Sequence, residues 1–421
     1  MSLSLETISH KKVISPASFI VPVRLSRSGF RYDDARVVVV IPTYAPAQVT
    51  KRLVSDILKW NPKAAVCVVD DSTPREHVRS AKIFKEFSGM RRVTLLRTPS
   101  NALKAGALNH ALRHLEDSAE RPDVIITADD DVVIAPTTIR NLVVELMSHE
   151  ELGAACSQCA VYNKDANLLT RLQGLEYVGF NAIRLADEGF LRGPLVMHGM
   201  LTAFRAGALY EVGGFTEGHL IEDYEITTRL KERGWSVKSV QNAAAWTVVP
   251  ESLYKFWRQR TRWSYGGVTV VVRARQFSTV FQDALGHIVF LSTIGMVLLL
   301  LLSRGTGVAP HAITNAIIAL SFLQLGVWYV FQLWLMRSYK QKDLIDWLLR
   351  ALLVPEFIYG FTMTFALLGS YAFFLFNMTV RAAVRSQRAF LIWLATVGTA
   401  FFNACGYTEG KWGTLAVVAK K

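Results

Sequence analysis

The apolar residues of this chain are concentrated after about Gly286 rather than spread evenly along it. They form long runs at residues 287–303, 312–336 and 351–377, and a shorter one at Phe390–Ala404. A helix needs about 20 predominantly apolar residues to cross a bilayer, so the first run is near the lower limit. The last run is short enough to be an interfacial helix instead. The pattern predicts a soluble domain followed by a transmembrane helical region of about four spans, with three as the alternative.

The net charge of +13 follows the same division of the chain. Many basic residues border the apolar runs, and they do not form the long stripe with interleaved aromatics that favours nucleic-acid binding. Residues 337–350 carry four basic and two acidic side chains. Because Lys and Arg are enriched in cytoplasmic loops, this segment and the soluble domain are predicted to be cytoplasmic. We therefore predict an integral protein of the cell (plasma) membrane that contacts membrane lipids and no nucleic acid.

Four cysteines in 421 residues do not indicate a disulfide scaffold. Cys156 and Cys159 form a CxxC pair, but Cys67 and Cys405 do not supply the second ligand pair of a zinc site. The pair is therefore predicted to be two small residues of a buried strand. Residues 1–35 lack the uninterrupted apolar stretch of a signal peptide and are predicted to be an N-terminal extension.

Short apolar, β-branched runs alternate with helical segments in the first third of the chain. The run at residues 64–69 leads into Asp70 and Asp71, and the run at 124–127 leads into three aspartates, Asp129 to Asp131. This alternation indicates an α/β domain with a mostly parallel sheet and helices on both faces. Ligands of such sheets bind beyond the carboxyl ends of the strands, which is where these acidic residues fall.

The three consecutive aspartates predict a divalent cation site. Adjacent like charges repel, so three of them after an apolar strand are best explained by a bound cation. Asp129 and Asp131 are two residues apart, and on an extended chain their side chains point the same way. Ligands that are all oxygen suit Mg²⁺ or Mn²⁺, with a pyrophosphate completing the shell. The alternative, a solvated acidic loop, is disfavoured by the apolar flanks.

Three other places carry candidate chemistry, each with a plainer alternative. Asp70 and Asp71 suit contacts to a nucleotide base or ribose, or they cap a helix or turn. Asp223 suits a general base, although a carboxylate in a first helical turn is ordinary capping. On a helix beginning near Tyr254, Arg262 can neutralise a diphosphate and Trp263 can stack on a sugar. The alternative for that helix is an interfacial position with snorkelling arginines.

Six motifs follow one another along residues 36–263: Val69-Asp70-Asp71-Ser72-Thr73, Lys104-Ala105-Gly106-Ala107-Leu108-Asn109, the Asp129/Asp131 pair, Gly213-Gly214-Phe215, Glu222-Asp223 and QxxRW at Gln259, Arg262 and Trp263. In this order they resemble the motifs of the family 2 glycosyltransferases, specifically the processive branch of cellulose, chitin and hyaluronan synthases. Residues 173–177 and 198–200 fall where family members place segments on the acceptor side.

The resemblance implies a GT-A fold with a nucleotide-sugar site. Asp70, with Asp71 beside it, would hold the nucleotide base or ribose, and Lys104 and Gly106 would line the nucleotide pocket. Asp131 would bind the metal, with Asp129 next to it.

The resemblance also assigns the acceptor side of the reaction. Asp223 would be the base of an inverting, single-displacement transfer. Gln259, Arg262 and Trp263 would close over the diphosphate and the acceptor.

The predicted organisation has five parts: an extension at 1–35, a GT-A domain at 36–263, interfacial linker helices at 264–285, transmembrane helices at 286–404 and a cytoplasmic tail at 405–421. The leading hypothesis is an enzyme that elongates a β-linked polysaccharide from a UDP-sugar, of the glucose or N-acetylglucosamine type. One alternative is transfer of a single sugar to a lipid acceptor. Another is a catalytically silent nucleotide-binding membrane protein, against which the intact Asp131, Asp223 and Arg262 argue. Homo-oligomerisation is left open.

Overall fold

The computed structural model describes residues 31–188, 191–306, 311–385 and 389–408. Most of the predicted N-terminal extension and tail lie outside these residues. The strands are β1 (Val37–Thr43), β2 (Ala65–Asp70), β3 (Val93–Arg97), β4 (Val124–Ala128), β5 (Val133–Ile134), β6 (Leu152–Val161), β7 (Leu201–Arg205) and β8 (Ser236–Thr247). The helices are α1 (Gln48–Trp60), α2 (Val78–Ser88), α3 (Leu103–Glu116), α4 (Thr138–Met147), α5 (Leu168–Ala186), α6 (Ala206–Glu211), α7 (Glu222–Glu232), α8 (Leu253–Arg273), α9 (Phe281–Thr306), α10 (His311–Leu335), α11 (Leu344–Ala351), α12 (Val354–Arg385) and α13 (Ala389–Ala404).

Within these residues the strands form one eight-stranded sheet in the order β3-β2-β1-β4-β7-β6-β8-β5. The first four strands of the chain pair in parallel, as the sequence predicts. Strand β7 runs antiparallel to both β4 and β6, and β5 runs antiparallel to β8, while β6 and β8 are parallel. The sheet is therefore mixed, with the parallel part at one end.

The alternation of side chains along β1 separates two apolar layers. Val39 and Ile41 are buried with residues of α1, α2 and α4, whereas Val40 is buried with residues of α3, α6 and α7. Helices thus cover both faces of the sheet, as predicted. The Cys156 and Cys159 thiols are free and buried in β6, which confirms their interpretation as small residues of a buried strand.

The antiparallel strand β7 determines what meets at the edge of the sheet where β4 ends. In the register of the two strands Ala128 faces Leu201, so the residues just before β7 lie beside those just after β4. The Asp129 N–H donates to the carbonyl of Met200 at 2.9 Å. The segment at 198–200 is therefore adjacent to the aspartates, although 70 residues separate them in the chain.

The predicted transmembrane region corresponds to the helices that follow the sheet. Helix α8 continues unbroken across the boundary predicted at residue 263 and ends at Arg273. Among the described residues, two helices contain stretches long and apolar enough to cross a membrane, Ile318–Leu335 and Phe357–Val380, and Phe390–Ala404 is a shorter apolar helix. Few residues of the two longer stretches are buried, 6% and 22%, so most of their apolar side chains lie on the surface. These helices are candidate membrane spans, and the number of four remains a prediction.

Candidate active site

Lys104 is at the centre of a charged cluster at the carboxyl edge of the sheet. Its ammonium lies 2.6 Å from Asp129 Oδ1 and 2.7 Å from Glu222 Oε1, and it donates to the carbonyl of Gly199 at 3.0 Å. Burial lowers the pKa of Lys104, but the carboxylates of Asp129, Glu222 and Asp223 outweigh this effect and raise it. The lysine therefore stays charged at neutral pH and links α3 to the aspartates and to α7.

Asp223 is oriented by two backbone donors. Its Oδ2 accepts from the Gly199 N–H at 2.8 Å, and its Oδ1 accepts from the Tyr224 N–H at 2.9 Å. Burial, followed by the charge of Glu222, raises the pKa of Asp223 above its ordinary value. Burial acts on Glu222 in the same direction, but Lys104 and, more weakly, Arg262 outweigh it and lower the pKa of Glu222. Of the two adjacent carboxyls, Asp223 is thus the stronger base.

Gly199 allows these groups to approach one another. A Cβ at this position would lie 2.7 Å from Lys104 Nζ, 3.2 Å from Glu222 Oε1 and 3.3 Å from Asp223 Oδ2. The N–H and the carbonyl of Gly199 bind the base and the lysine, respectively. The neighbouring His198 is buried, and burial lowers its pKa to about 3, so its imidazole is neutral at physiological pH.

The three aspartates lie on a turn between β4 and β5 and not on extended chain. The expectation that Asp129 and Asp131 lie on extended chain is therefore wrong. Asp129 binds Lys104, whereas both oxygens of Asp131 accept from the Thr247 hydroxyl on β8 at 3.3 Å. Between them, Asp130 accepts from the Thr43 hydroxyl at 2.5 Å.

Asp131 provides a test of whether the site fits a cation. Burial, followed by the charges of Asp129 and Asp130, raises the pKa of Asp131 to about 8, so this carboxylate lacks compensating positive charge. Its hydroxyl donor is at the long distance of 3.3 Å. In the described part of the chain, no three His, Cys, Asp or Glu side chains are grouped closely enough to hold a metal by themselves. The donors fit a hard divalent cation whose coordination shell is completed by other ligands.

Asp70 and Asp71 are buried, and both already have partners in the protein. Arg97 Nη1 lies 2.5 Å from Asp70 Oδ2. Asp71 Oδ1 accepts from the Thr98 hydroxyl and from the Ala102 N–H, both at 2.8 Å. Asp71 therefore fixes the start of α3, the helix that carries Lys104, against the end of β2.

Gly106 lies in the first turn of α3 and is buried. A Cβ at this position would lie 2.6 Å from the Cβ of Ala102, so a larger residue would distort the start of the helix. This glycine therefore preserves the position of Lys104, two residues earlier.

The QxxRW residues lie near the middle of α8, on the other side of α7. Arg262 donates to the carbonyl of Leu220 at 2.9 Å, just before α7, and its charge reaches Glu222. Trp263 is partly exposed. Gln259 Oε1 accepts from Arg260 Nη1 at 3.0 Å. The structure thus places Arg262 beside the charged cluster, and Gln259 next to an arginine that the sequence analysis did not select.

The chain matches the family described as "Glycosyltransferase like family 2" over residues 35–266, more than half of its length. It belongs to this family. The match contains every candidate site residue named above, and it ends within α8, just after the QxxRW motif.

The relatives of this family 2 glycosyltransferase include polymer synthases. A poly-β-1,6-N-acetyl-D-glucosamine synthase of Staphylococcus aureus (strain COL) is 24% identical over 216 residues, which cover 51% of this chain and 50% of the relative. The synthase of the same name from Staphylococcus epidermidis is 23% identical over 235 residues, 56% of this chain and 55% of the relative. The chain therefore spans about half the length of the curated relatives it matches.

Among solved structures, similarity extends to the mannosyltransferase PcManGT from Pyrobaculum calidifontis, in complex with GDP-Man and Mn²⁺. The TM-score is 0.52 at 21% identity, with 73% of this chain and 86% of that chain covered. At this level of identity the likeness concerns the fold. The predicted GT-A fold is confirmed.

Sequence reasoning did not select Glu222, Gly199, Arg260 or Glu176 as site residues. Glu222, Gly199 and Glu176 do lie within segments that carry the family resemblance, at 222–223, 198–200 and 173–177. Arg260 is fully buried and paired with Glu176 of α5, 84 residues earlier. The sequence did contain one signal for Arg260, because the spacing of positions 256, 260 and 263 places them on one face of α8.

Proposed function

We propose that this chain is a membrane-bound inverting glycosyltransferase that uses a UDP-sugar and a divalent cation, Mg²⁺ or Mn²⁺, to elongate a β-linked polysaccharide. The donor sugar would be of the glucose or N-acetylglucosamine type. The observation that carries the proposal is the convergence of Asp223, Glu222, Lys104 and Asp129 around Gly199. The names of the staphylococcal relatives support a polymer as the product.

In this proposal Asp223 accepts the proton of an acceptor hydroxyl as its oxygen attacks the anomeric carbon of the donor. The new glycosidic bond forms on the face opposite the diphosphate, the bond from the anomeric carbon to the diphosphate oxygen breaks, and UDP leaves with that electron pair. A single displacement inverts the configuration at this carbon. The backbone N–H groups of Gly199 and Tyr224 hold the carboxylate in place for the transfer, and its raised pKa favours acceptance of the proton.

On the donor side, Asp131 and Asp129 would hold the cation, which when bound would offset the negative charge of the diphosphate. The guanidinium of Arg262 lies close enough to Glu222 to share in neutralising the leaving group. Asp71 and Gly106 support this arrangement indirectly, since they fix the start of the helix that carries Lys104.

The segment between α10 and α12 supports a location of the catalytic domain at the cytoplasmic face of the plasma membrane. Lys164 and Arg171 lie 2.8 and 2.9 Å from the buried carboxylate of Asp346 on α11. Arg350 donates to the Leu175 carbonyl of α5 at 2.9 Å. This basic segment therefore packs directly on the catalytic domain, so both occupy the same side, and its charge favours the cytoplasm.

A product-sizing experiment tests the proposal. Detergent-purified protein is incubated with a panel of radiolabelled UDP-sugars and Mg²⁺ or Mn²⁺, and the labelled product is sized on gels and by lipid extraction. We expect high-molecular-weight label from one donor, and label lowered by about a hundredfold or more with Asp223→Asn. Label confined to the lipid phase would instead establish transfer of a single sugar to a lipid. Absence of incorporation from every donor, with acceptor oligosaccharides supplied, would refute the enzymatic proposal.

A further inference from the structure

A buried ion pair joins α5 to the middle of α8. Arg260 has no exposed surface, and its Nη2 donates to Oε2 of Glu176. Its Nη1 donates to Oε1 of Gln259 at 3.0 Å. Both terminal nitrogens of the guanidinium are therefore hydrogen-bonded, whereas its buried Nε has no hydrogen-bond partner in the described part of the chain. Removing a guanidinium from water is costly, and the carboxylate of Glu176 offsets part of that cost. This arginine is therefore held in one orientation by groups on two helices.

Aromatic rings surround the rest of the Arg260 guanidinium. Its central carbon lies 4.2 Å from the ring centroid of Trp263, 4.6 Å from that of Phe256 and 5.9 Å from that of Tyr359. A guanidinium within about 6 Å of a ring face makes a cation–π contact, which is strongest for tryptophan and for desolvated groups. The contact with Trp263 is the shortest of the three, so Arg260 acts most strongly on the one partly exposed ring among them.

The Trp263 ring also contacts α5. It meets Phe180 in an edge-to-face arrangement at 6.4 Å between centroids. Glu176 and Phe180 are four residues apart, so they lie on the same face of that helix. The ring is thus fixed by Phe180 directly and by Glu176 through Arg260.

We propose that Arg260, held by Glu176, is a positioning residue that sets the orientation of Trp263 and Gln259 and thereby the shape of the acceptor-sugar subsite. The inference rests on the proposed function and on the role that the family resemblance implies for Trp263 and Gln259, which would close over the acceptor and the diphosphate. Neither Arg260 nor Glu176 needs to touch a substrate. The subsite is built from α5 and α8, whereas the charged cluster is built from α3, α7 and the strand ends.

The Tyr359 ring links the surroundings of Arg260 to the candidate membrane spans. Tyr359 belongs to α12 and packs edge-to-face on Phe256 at 5.3 Å. One side of the Arg260 site is therefore supplied by a helix that contains a candidate span, Phe357–Val380. The proposed acceptor subsite lies where the catalytic domain meets that helix.

The test separates use of the acceptor from use of the donor. The double variant Glu176→Gln/Arg260→Met removes both charges and leaves no buried ion without a partner. We measure UDP-sugar binding, hydrolysis of the UDP-sugar by water and transfer to an added acceptor oligosaccharide. We expect binding and hydrolysis to stay within about threefold of wild type, and transfer to fall about tenfold or more through a higher acceptor KM, as expected for loss of a buried cation–π contact.

Two further variants make the result specific. Arg260→Lys keeps the charge but not the planar group, so it should retain the fold and lose transfer to the acceptor. Arg258→Met is the matched control, because Arg258 stands over Tyr254 at 5.6 Å on the same helix. We expect this control to behave like wild type in all three assays.

Two outcomes would overturn the proposal. Unchanged transfer to the acceptor in the double variant and in Arg260→Lys would show that Trp263 and Gln259 do not need this support. An equal fall in hydrolysis and transfer would show that the pair only stabilises the fold. Failure of the proposed function would look different, because wild-type protein itself would then consume no UDP-sugar.

Discussion

Two cations, the half-buried Lys104 and the fully buried Arg260, organise two parts of this site, and the protein stabilises them in different ways. Lys104 is surrounded by oxygen atoms of Asp129, Glu222 and Gly199. Arg260 has one carboxylate, that of Glu176, and otherwise faces aromatic rings. Lysine is a compact point charge, whereas arginine is planar and stacks on rings. In the proposed function, the donor side is thus organised by charge balance, and the acceptor side by the shape of a planar group.

The first prediction removes the Lys104 ammonium from the charged cluster and should have the largest effect. Lys104→Met leaves Asp129 and Glu222 without their partner, which we expect to destabilise the protein by about 1–3 kcal/mol and to abolish transfer. The pKa of Glu222, which Lys104 lowers, should then rise, so the loss of stability should shrink as the pH is lowered. Thermal unfolding in detergent between about pH 5 and pH 8 measures this. A loss that is equal at every pH would contradict the role of charge balance.

The second prediction concerns the base next to that cluster. Asp223→Asn should lower turnover by about 10²–10⁴-fold and change UDP-sugar binding little, because the base acts mainly in the transition state. Transfer rates and equilibrium binding measure the two effects separately. Glu225→Gln is the control on the same helix, since Glu225 pairs with Arg229 at 2.6 Å and should affect turnover little. Equal losses of binding and turnover in Asp223→Asn would remove Asp223 from this role.

The third prediction tests the cation on the donor side. Asp131→Asn should weaken UDP-sugar binding about tenfold in the presence of Mg²⁺ or Mn²⁺ and leave metal-free binding unchanged, because only the metal-dependent part uses this carboxylate. Titration calorimetry with and without the metal measures the difference. The same metal dependence in variant and wild type would count against Asp131 as a ligand.

The fourth prediction, with the smallest effect, concerns the pH dependence of the acceptor side. Burial raises the pKa of Glu176 from 4.5 to about 7, although Arg260 opposes the shift. The folded protein therefore holds this proton more tightly than the unfolded chain, and the resulting stabilisation is complete below pH 4.5 and lost as the pH rises through 7. Glu176→Gln should flatten the pH dependence of stability between these values by at most roughly 1.4 kcal/mol per pH unit. Thermal unfolding across this range measures the slope, and an unchanged slope would contradict the assignment.

The sequence predicted those features that depend on neighbours along the chain. The parallel strands and the acidic residues after β2 and β4 follow from local patterns of apolar and turn residues, and the structure confirms their positions. The mixed character of the sheet was not predicted, because the position of β7 depends on pairing with distant strands. That pairing brings Met200, the neighbour of Gly199, to Asp129.

The departures at the site have the same origin. Asp129 and Asp131 were expected on extended chain, but they lie on a turn. Asp129 contacts Lys104, whereas Asp131 contacts Thr247. Arg260 looked like one of several arginines on an interfacial helix, and only the fold brings Glu176 to it. The roles assigned to Asp70, Lys104, Asp223 and the QxxRW residues remain predictions.

The continuity of α8 has a mechanical consequence. Its 21 residues form a rod about 30 Å long, with Trp263 near the middle. Tyr265, half a turn further on, packs against Phe373 of α12 at 4.7 Å and accepts a hydrogen bond from Asn377 at 2.9 Å. Because a helix transmits tilt along its length, a change in the inclination of α12 should move the tryptophan with it. In the proposed function α12 crosses the membrane and Trp263 holds the acceptor, so the packing of α12 within the membrane would also influence how the acceptor is held.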